Sequence, residues 1–469
     1  MPSLSIIYSF PLILLVFSLL FPPGLMGGES VENQLDLLAE PLLEQGYATG
    51  IVVAVIEDGK EKVFNYGTIS RDSKEAPDGK TIFEIGSVSK TFTALLLAAL
   101  AESGRVSLND PVRIFLPDSV TVLRKEKREI TLADLATHTS GLPRMPDNVK
   151  PEDPLNPYAD YTAEKMYSFL STYQIPRPPG EIYEYSNLGS GLLGHALARR
   201  EEKDYEALIR EMICRPLGLK DTSIALSPDQ ENRFAKGYDL EGNPVAHWDF
   251  SVLAGCGALR STAEDLLRYT RAQMGTAASP LAAAINSTLI PRHTTDIPGD
   301  WFIGLGWHVD KTGTIAWHDG GTYGAYTYIG FNRKRGFGLV WLSNSSLWQV
   351  GPLRERLERI LLGKSIKPLE LRKPVDLDPG VLERYTGEYR IKPDVLLKVT
   401  LIEGYLVLGL SGEEGGSVLY PESETSFFFL DSEDVTVSFV REEKGGIEKL
   451  LLHEKGKETP AKKIKQDNN

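Results

Sequence analysis

Three features of the sequence predict an α+β fold followed by a small all-β barrel. β-patterned runs stand near both ends of residues 29–363, helical stretches fill the interval between them, and short β runs dominate beyond a proline-rich break. The first run, Ile51-Val52-Val53-Ala54-Val55-Ile56, is separated from Lys62-Val63-Phe64 by Asp58-Gly59, a pair that favours a two-residue hairpin turn. Helical stretches follow at Thr91–Glu102, Asn187–Arg200 and Ala263–Met274. Trp307–Val309, Thr314–His318, Tyr326–Phe331 and Gly338–Leu342 then read as successive strands, so one sheet is built from both ends of the region.

Residues 364–380 carry Pro368, Pro374 and Pro379 and read as a linker. Val395–Leu401, Tyr405–Leu410, Phe427–Leu430, Val435–Val440 and Ile447–His453 follow, with turn signals at Glu403-Gly404, Lys444-Gly445-Gly446 and Lys455-Gly456. That spacing predicts an up-and-down β meander closing a barrel over residues 381–469. At the other end, Ile6 to Phe21 is uncharged and runs into Pro22-Pro23-Gly24, so residues 1–28 read as a secretory signal and the chain as exported, periplasmic or secreted. Met1 to Ser5 carries no Lys or Arg, which keeps an uncleaved membrane anchor over residues 6–21 as the alternative.

Composition removes several classes. The 469 residues are 42% hydrophobic, enough for an ample core. Lys and Arg number 51 against 64 Asp and Glu, a net charge of −13 that disfavours nucleic-acid binding. Cys214 and Cys256 are too few for a zinc cluster or a disulfide scaffold; they either pair once or stay as buried thiols.

The sharpest motif is Gly86-Ser87-Val88-Ser89-Lys90-Thr91-Phe92 at the head of an apolar helix. Three residues of separation put Ser87 and Lys90 on one helix face, where a desolvated lysine can take the serine proton. The helix N-terminus adds backbone N–H groups directed toward developing negative charge. Tyr185 and Asn187, in Tyr183-Glu184-Tyr185-Ser186-Asn187, form a second element. A tyrosine among cations can relay a proton. An asparagine offers both donor and acceptor, suited to a substrate amide and to Lys90 together.

With both elements present, the chain resembles the serine β-lactamase and penicillin-binding protein superfamily, in its branch of class C β-lactamases, D-alanyl-D-alanine carboxypeptidases and esterases. Phe83–Phe92, Leu135–Pro143, Pro179–Gly189, Pro216–Leu219 and Gly304–Trp307 carry the likeness in family order. The resemblance implies an antiparallel sheet flanked by helices plus an all-helical subdomain, with the serine between them. It implies acyl transfer: Ser87 as nucleophile, Lys90 and Tyr185 moving protons, Asn187 orienting the acyl group, and the N–H groups of Ser87 and Gly321 as oxyanion hole. No metal or organic cofactor is required.

The family's third motif has two candidates. Lys311-Thr312-Gly313 matches literally but reads as a hairpin turn, whereas His318-Asp319-Gly320 ends a strand and leads into Gly321-Thr322-Tyr323-Gly324. His318, Asp319 and Gly320 are therefore taken as the substrate-binding third motif, with glycine letting backbone approach the substrate. His138 reads as a hydrogen-bonded structural residue. Histidine in place of lysine, and an Asp319 that would repel an anion if it faced the site, weaken recognition of a substrate carboxylate. The expectation is a serine hydrolase of small-molecule or peptide substrates, a D-amino-acid or peptidoglycan-type carboxypeptidase or aminopeptidase, or an esterase. A class C-like β-lactamase is the first alternative and a catalytically silent penicillin-binding-like scaffold the second. The segment at Leu382–Tyr389 resembles the head of the lipocalin-like β-domain that some members append.

Overall fold

Alternate side chains of the first hydrophobic run enter two different cores. In the computed structural model this run lies in strand Gly50–Glu57. Val52, Ala54 and Ile56 pack with Phe92, Leu95 and Leu96, whereas Ile51, Val53 and Val55 pack with Leu35, Leu38, Leu353 and Leu357. The second group comes from helices Val31–Glu44 and Val350–Leu361, and Phe92 to Leu96 from helix Ser89–Glu102. The sheet is thus a middle layer covered by helices on both faces, which explains a first strand with no polar alternation. The structure describes residues 30–464 except 121–122, 348–349, 403, 413–415, 430–431, 443–445 and 455. The export segment 1–28 and the turn residues Glu403, Lys444, Gly445 and Lys455 lie outside the described residues.

The sheet has eight antiparallel strands in the order Lys60–Gly67, Gly50–Glu57, Phe337–Ser343, Tyr326–Asn332, Ile315–Gly321, His308–Val309, Phe302–Ile303 and His293–Thr294. Asp58 and Gly59 turn the first hairpin with φ of 50° and 75°, the geometry that Asp-Gly favours. Strand Ile315–Gly321 pairs with Tyr326–Asn332 from Ile315↔Asn332 to Gly321↔Tyr326, so the third motif is held in the sheet itself.

Helix Ser89–Glu102 is buried without interruption from Ser89 to Leu100. Being apolar all round, it needs packing on every side. The sheet covers one side; helices Leu132–Ala136, Ala163–Thr172, Asn187–Glu201 and Tyr205–Ile209 supply Leu135, Met166, Leu192 and Leu208 to the same core. The expected helical subdomain is present, interrupted by the small hairpins Arg124–Lys125/Arg128–Glu129 and Gly237–Tyr238/Pro244–Val245. Cys214 and Cys256 are both buried and free. Among the described residues no helix is long and apolar enough to cross a membrane.

Residues 364–380 are tied at both ends. Arg356 donates to the carbonyls of Lys367 and Pro368, Ile366 and Leu369 are buried in the core behind the sheet, and the Val375 N–H bonds to Pro421 O. Beyond them, eight strands in simple up-and-down order close a barrel, its last strand Lys457–Lys463 pairing with its first, Gly387–Lys392. An eight-stranded barrel either fills its interior with side chains or keeps room for one small ligand. Here Tyr385, Tyr389, Phe427, Phe439, Val437 and Leu450 fill it, and helix Pro379–Glu383 adds Leu382. Phe439 stacks on Tyr385 at 4.4 Å and meets Phe427 edge-on at 5.4 Å. Phe439→Ala is therefore expected to cost about 3–5 kcal/mol in chemical denaturation. A loss below about 1 kcal/mol would indicate a loosely packed interior.

Candidate active site

The site begins at the break between strand Ile82–Glu84 and the buried helix. Gly86 has a φ of 46°, and Gly86–Val88 makes a single 3₁₀ turn leading into Ser89–Glu102. No side chain caps this N-terminus, and its Val88 and Ser89 amides are held by the carbonyls of Ile85 and Gly86. Lys90 is 2% exposed, and its Nζ lies 2.8 Å from Ser87 Oγ and 2.7 Å from the carbonyl of Cys256. A buried ammonium demands such partners. The same Nζ sits 4.9 Å from the centre of the Tyr185 ring.

Tyr185 and Asn187 are delivered by the start of helix Asn187–Glu201. Ser186 caps that helix, accepting from Gly189 N at 2.8 Å and donating to Pro143 O at 2.7 Å. The amides of Asn187 and Leu188 both donate to Arg144 O, which fixes the Leu142–Arg144 turn against the helix start. His138 stacks on Tyr185 with ring centres 4.5 Å apart, and its Nδ1 accepts from Ser186 N at 3.1 Å. Burial first, then the positive charge of Lys90, holds its imidazole well below the usual histidine range, so His138 is a neutral brace. The second partner of Lys90 is the Cys256 carbonyl, where the sequence suggested Asn187; the Asn187 Oδ1 is buried and unpartnered.

The third motif arrives on strand Ile315–Gly321. His318 is buried beside Tyr185, ring centres 6.4 Å apart, and beside His308 at 5.3 Å. His318 Nδ1 lies 2.5 Å from the Asp319 carbonyl, which can only accept, so Nδ1 carries the proton. Nε2, buried and unpartnered, is left as an acceptor. Burial, reinforced by Lys90, pushes this imidazole down to about 3.

One expectation for this motif is corrected. Side chains alternate along a strand, so when His318 faces Lys90 its neighbour faces the other way. Asp319 accordingly lies 3.9 Å from Arg354 and 3.4 Å from the Tyr326 hydroxyl, behind the sheet, and does not face the site. Gly320 is required by the nucleophile turn. A Cβ there would stand 2.3 Å from Ile85 O and 2.6 Å from Ser87 N. The Gly321 backbone lies against Gly86, whose own Cβ would come within 2.8 Å of Gly321 N, while a Cβ on Gly321 meets only Ala325 O at 3.7 Å. Lys311 lies in the exposed turn between strands, as its sequence context suggested.

Three participants went unread in the sequence. Glu84, buried and pushed up by that burial, accepts from Thr322 Oγ1 and Trp248 N at 2.7 Å each, tying the strand before Ser87 to the turn after Gly321. Trp248, Tyr158, Phe250 and Tyr323 form a cluster of contacting rings. Arg144 lies over Tyr185 at 5.1 Å from the ring centre. Glu84 and Arg144 stand inside or next to the quoted motifs, and that adjacency was the available signal. Nothing local announces Cys256, whose contribution is a backbone carbonyl.

A family model described as Beta-lactamase matches residues 35–362. A Beta-lactamase of Pseudomonas fluorescens is 35% identical over 283 residues, covering 60% of this chain and 74% of that protein. D-alanyl-D-alanine-carboxypeptidase/endopeptidase AmpH of Escherichia coli (strain K12) is 34% identical over 245 residues, 51% of this chain and 61% of that protein. A class C beta lactamase from Rhodobacter sphaeroides superposes with a TM-score of 0.61 at 26% identity, over 70% of this chain and 98% of the other. D-alanine Carboxypeptidase AmpC from Burkholderia cenocepacia gives 0.59 at 26% identity, over 71% and 98%. The barrel lies beyond the residues that the family model matches.

Adding a methyl at Gly320 should displace the Ser87 turn. Gly320→Ala is expected to lose about 1–3 kcal/mol of stability and about 10²-fold in labelling by a fluorophosphonate, while Gly321→Ala stays near wild type in stability. Equal effects of the two on stability would contradict the assigned packing. The imidazoles add a pH dependence. An unfolded chain binds protons below about pH 6.5 that folded His318 refuses, so this contribution is complete above that pH and is lost as pH falls toward about 3. The His318 ring resonance should keep its neutral position from pH 7.5 down to 5; a midpoint near 6.5 would show the group to be solvated.

Proposed function

Since this chain belongs to the Beta-lactamase family and is a serine hydrolase, we propose that it cleaves amide or ester bonds through an acyl-enzyme on Ser87. Its substrates are taken to be D-amino-acid or peptidoglycan-type peptides, or small esters. The observation that carries this reading is the 2.8 Å approach of Lys90 Nζ to Ser87 Oγ in a site closed to bulk water behind the lysine.

Once the Lys90 ammonium has released a proton to solvent, Ser87 Oγ attacks the carbonyl carbon as its own proton passes to the free amine of Lys90. The carbonyl π electrons move onto oxygen, which the N–H groups of Ser87 and Gly321 receive. The C–N or C–O bond then breaks, and the leaving group takes a proton relayed through Tyr185. Water attacks the Ser87 ester, its proton returns through Tyr185 and Lys90, and the acid leaves. Asn187 Oδ1 and His318 Nε2 are both buried acceptors without partners, which suits them to receive substrate N–H groups. His318 as a neutral acceptor, where the family's other form of the motif has a lysine, supports ranking peptide and ester substrates above β-lactams. In this reading residues 29–363 are the hydrolase unit and 381–469 an appended β-domain, and the uncharged run Ile6–Phe21 supports export.

A β-lactamase is the second reading, favoured by the 35% identity to the Pseudomonas fluorescens Beta-lactamase. A silent scaffold is disfavoured by the intact hydrogen bond between Lys90 and Ser87. Purified wild type and Ser87→Ala, assayed on a short p-nitrophenyl ester, a D-Ala-D-Ala peptide and a chromogenic β-lactam, separate the three. The expected outcome is turnover of ester and peptide that Ser87→Ala lowers by at least about 10⁴-fold, with slow β-lactam turnover. Fast Ser87-dependent β-lactam hydrolysis would reverse the ranking. Absence of any acyl adduct by intact mass would favour the scaffold.

A further inference from the structure

We propose that Arg144 is a specificity-determining residue that binds a carboxylate on the leaving group. The inference rests on the acyl-enzyme reading above and assigns the residue that reads the leaving group.

Four observations converge on Arg144. Its backbone is fixed to the site, because its carbonyl receives the amides of Asn187 and Leu188 at 3.0 and 3.2 Å. Its side chain is exposed at the mouth, over the Tyr185 ring at 5.1 Å, while Lys90 Nζ lies 4.9 Å from the same ring centre. Among the described residues no carboxylate pairs with it. Other cations at the site are committed elsewhere or neutral. Lys90 is spent on Ser87 Oγ and Cys256 O, and the buried His318 offers an acceptor.

Position then selects the end of the substrate. Tyr185 is the residue that hands a proton to the departing amine, so a guanidinium over its ring adjoins the leaving group. A planar guanidinium matches a carboxylate with two parallel N–H···O bonds, which a lysine cannot do. The one acid in the third motif, Asp319, is turned behind the sheet toward Arg354 and does not compete for Arg144. The rings of Tyr158, Trp248 and Tyr323 touch one another, and Tyr158 lies within reach of the Arg144 charge.

The test compares an N-acyl peptide ending in D-Ala-D-Ala as the free acid with the same peptide as its C-terminal amide, using full-length enzyme. The scissile bond is identical, so only the terminal charge differs. Wild type should prefer the acid, and Arg144→Gln should lower the acid-over-amide ratio of kcat/KM at least about tenfold, mainly through KM, as loss of a charge-assisted pair implies. Arg144→Lys should recover part of that ratio. A fall of equal size on acid and amide would mark Arg144 as merely structural, and an unchanged ratio would overturn the proposal. If wild type turns over a p-nitrophenyl ester through Ser87 but neither peptide, the carboxylate proposal fails while the acyl-enzyme reading stands. If the ester is also inert, the acyl-enzyme reading fails first.

Discussion

A buried ammonium needs hydrogen-bond partners, and Lys90 organises the molecule around that need. One partner, Ser87 Oγ, belongs to its own helix; the other, the Cys256 carbonyl, belongs to a 3₁₀ segment, Ser251–Cys256, that must be brought in from the helical side. The approach is enforced nearby. Thr93 Oγ1 donates to Gly255 O at 2.7 Å, and Ser89 Oγ receives the Leu259 amide. Gly191 and Gly194 on helix Asn187–Glu201 leave no room for a side chain against Leu253 and Gly255. Three segments distant in sequence thus meet at one lysine, and the same helix that supplies Asn187 clamps the carbonyl that holds Lys90.

The strand side meets the same helix through backbone. Gly320 lets Ile315–Gly321 lie backbone to backbone against Ile85–Val88, with no room for a side chain between them. Glu84 extends that union, since its two carboxylate oxygens join Thr322 and Trp248 across the turn. A carboxylate buried for this purpose is costly unless both oxygens are hydrogen-bonded, as they are. The position of the Gly321 amide is consequently set by contacts behind the site, before any substrate arrives.

Much of this was legible in the sequence, and the limits have physical reasons. The apolar run after Lys90 signalled a buried helix because no amphipathic pattern could excuse it, and Asp58-Gly59 signalled its turn because few residue pairs adopt two positive φ angles. The barrel was legible from spacing. Its filled interior was not, since inward and outward aromatics look alike until Tyr385, Tyr389 and Phe439 are seen to converge. The orientation of Asp319 follows from strand alternation only if the strand extends beyond His318, where the run read from the sequence ends; the strand runs to Gly321. The Cys256 carbonyl was illegible in principle, as any residue carries one.

Charge is the last constraint that these contacts jointly set. The chain carries −13 overall, yet Lys90 lies against Ser87 and Arg144 over the neighbouring Tyr185 ring. His138, His308 and His318 are kept neutral chiefly by burial, Asp319 faces Arg354, and Glu84 is turned away toward Thr322 and Trp248. An acidic protein therefore holds a local positive field around Tyr185, beside Ser87. Such a field favours an anion at the mouth and negative charge developing on the oxygen beside Ser87. Neutral imidazoles matter here as well, because His138 and His318 pack beside Lys90 without adding a further fixed positive charge to the site.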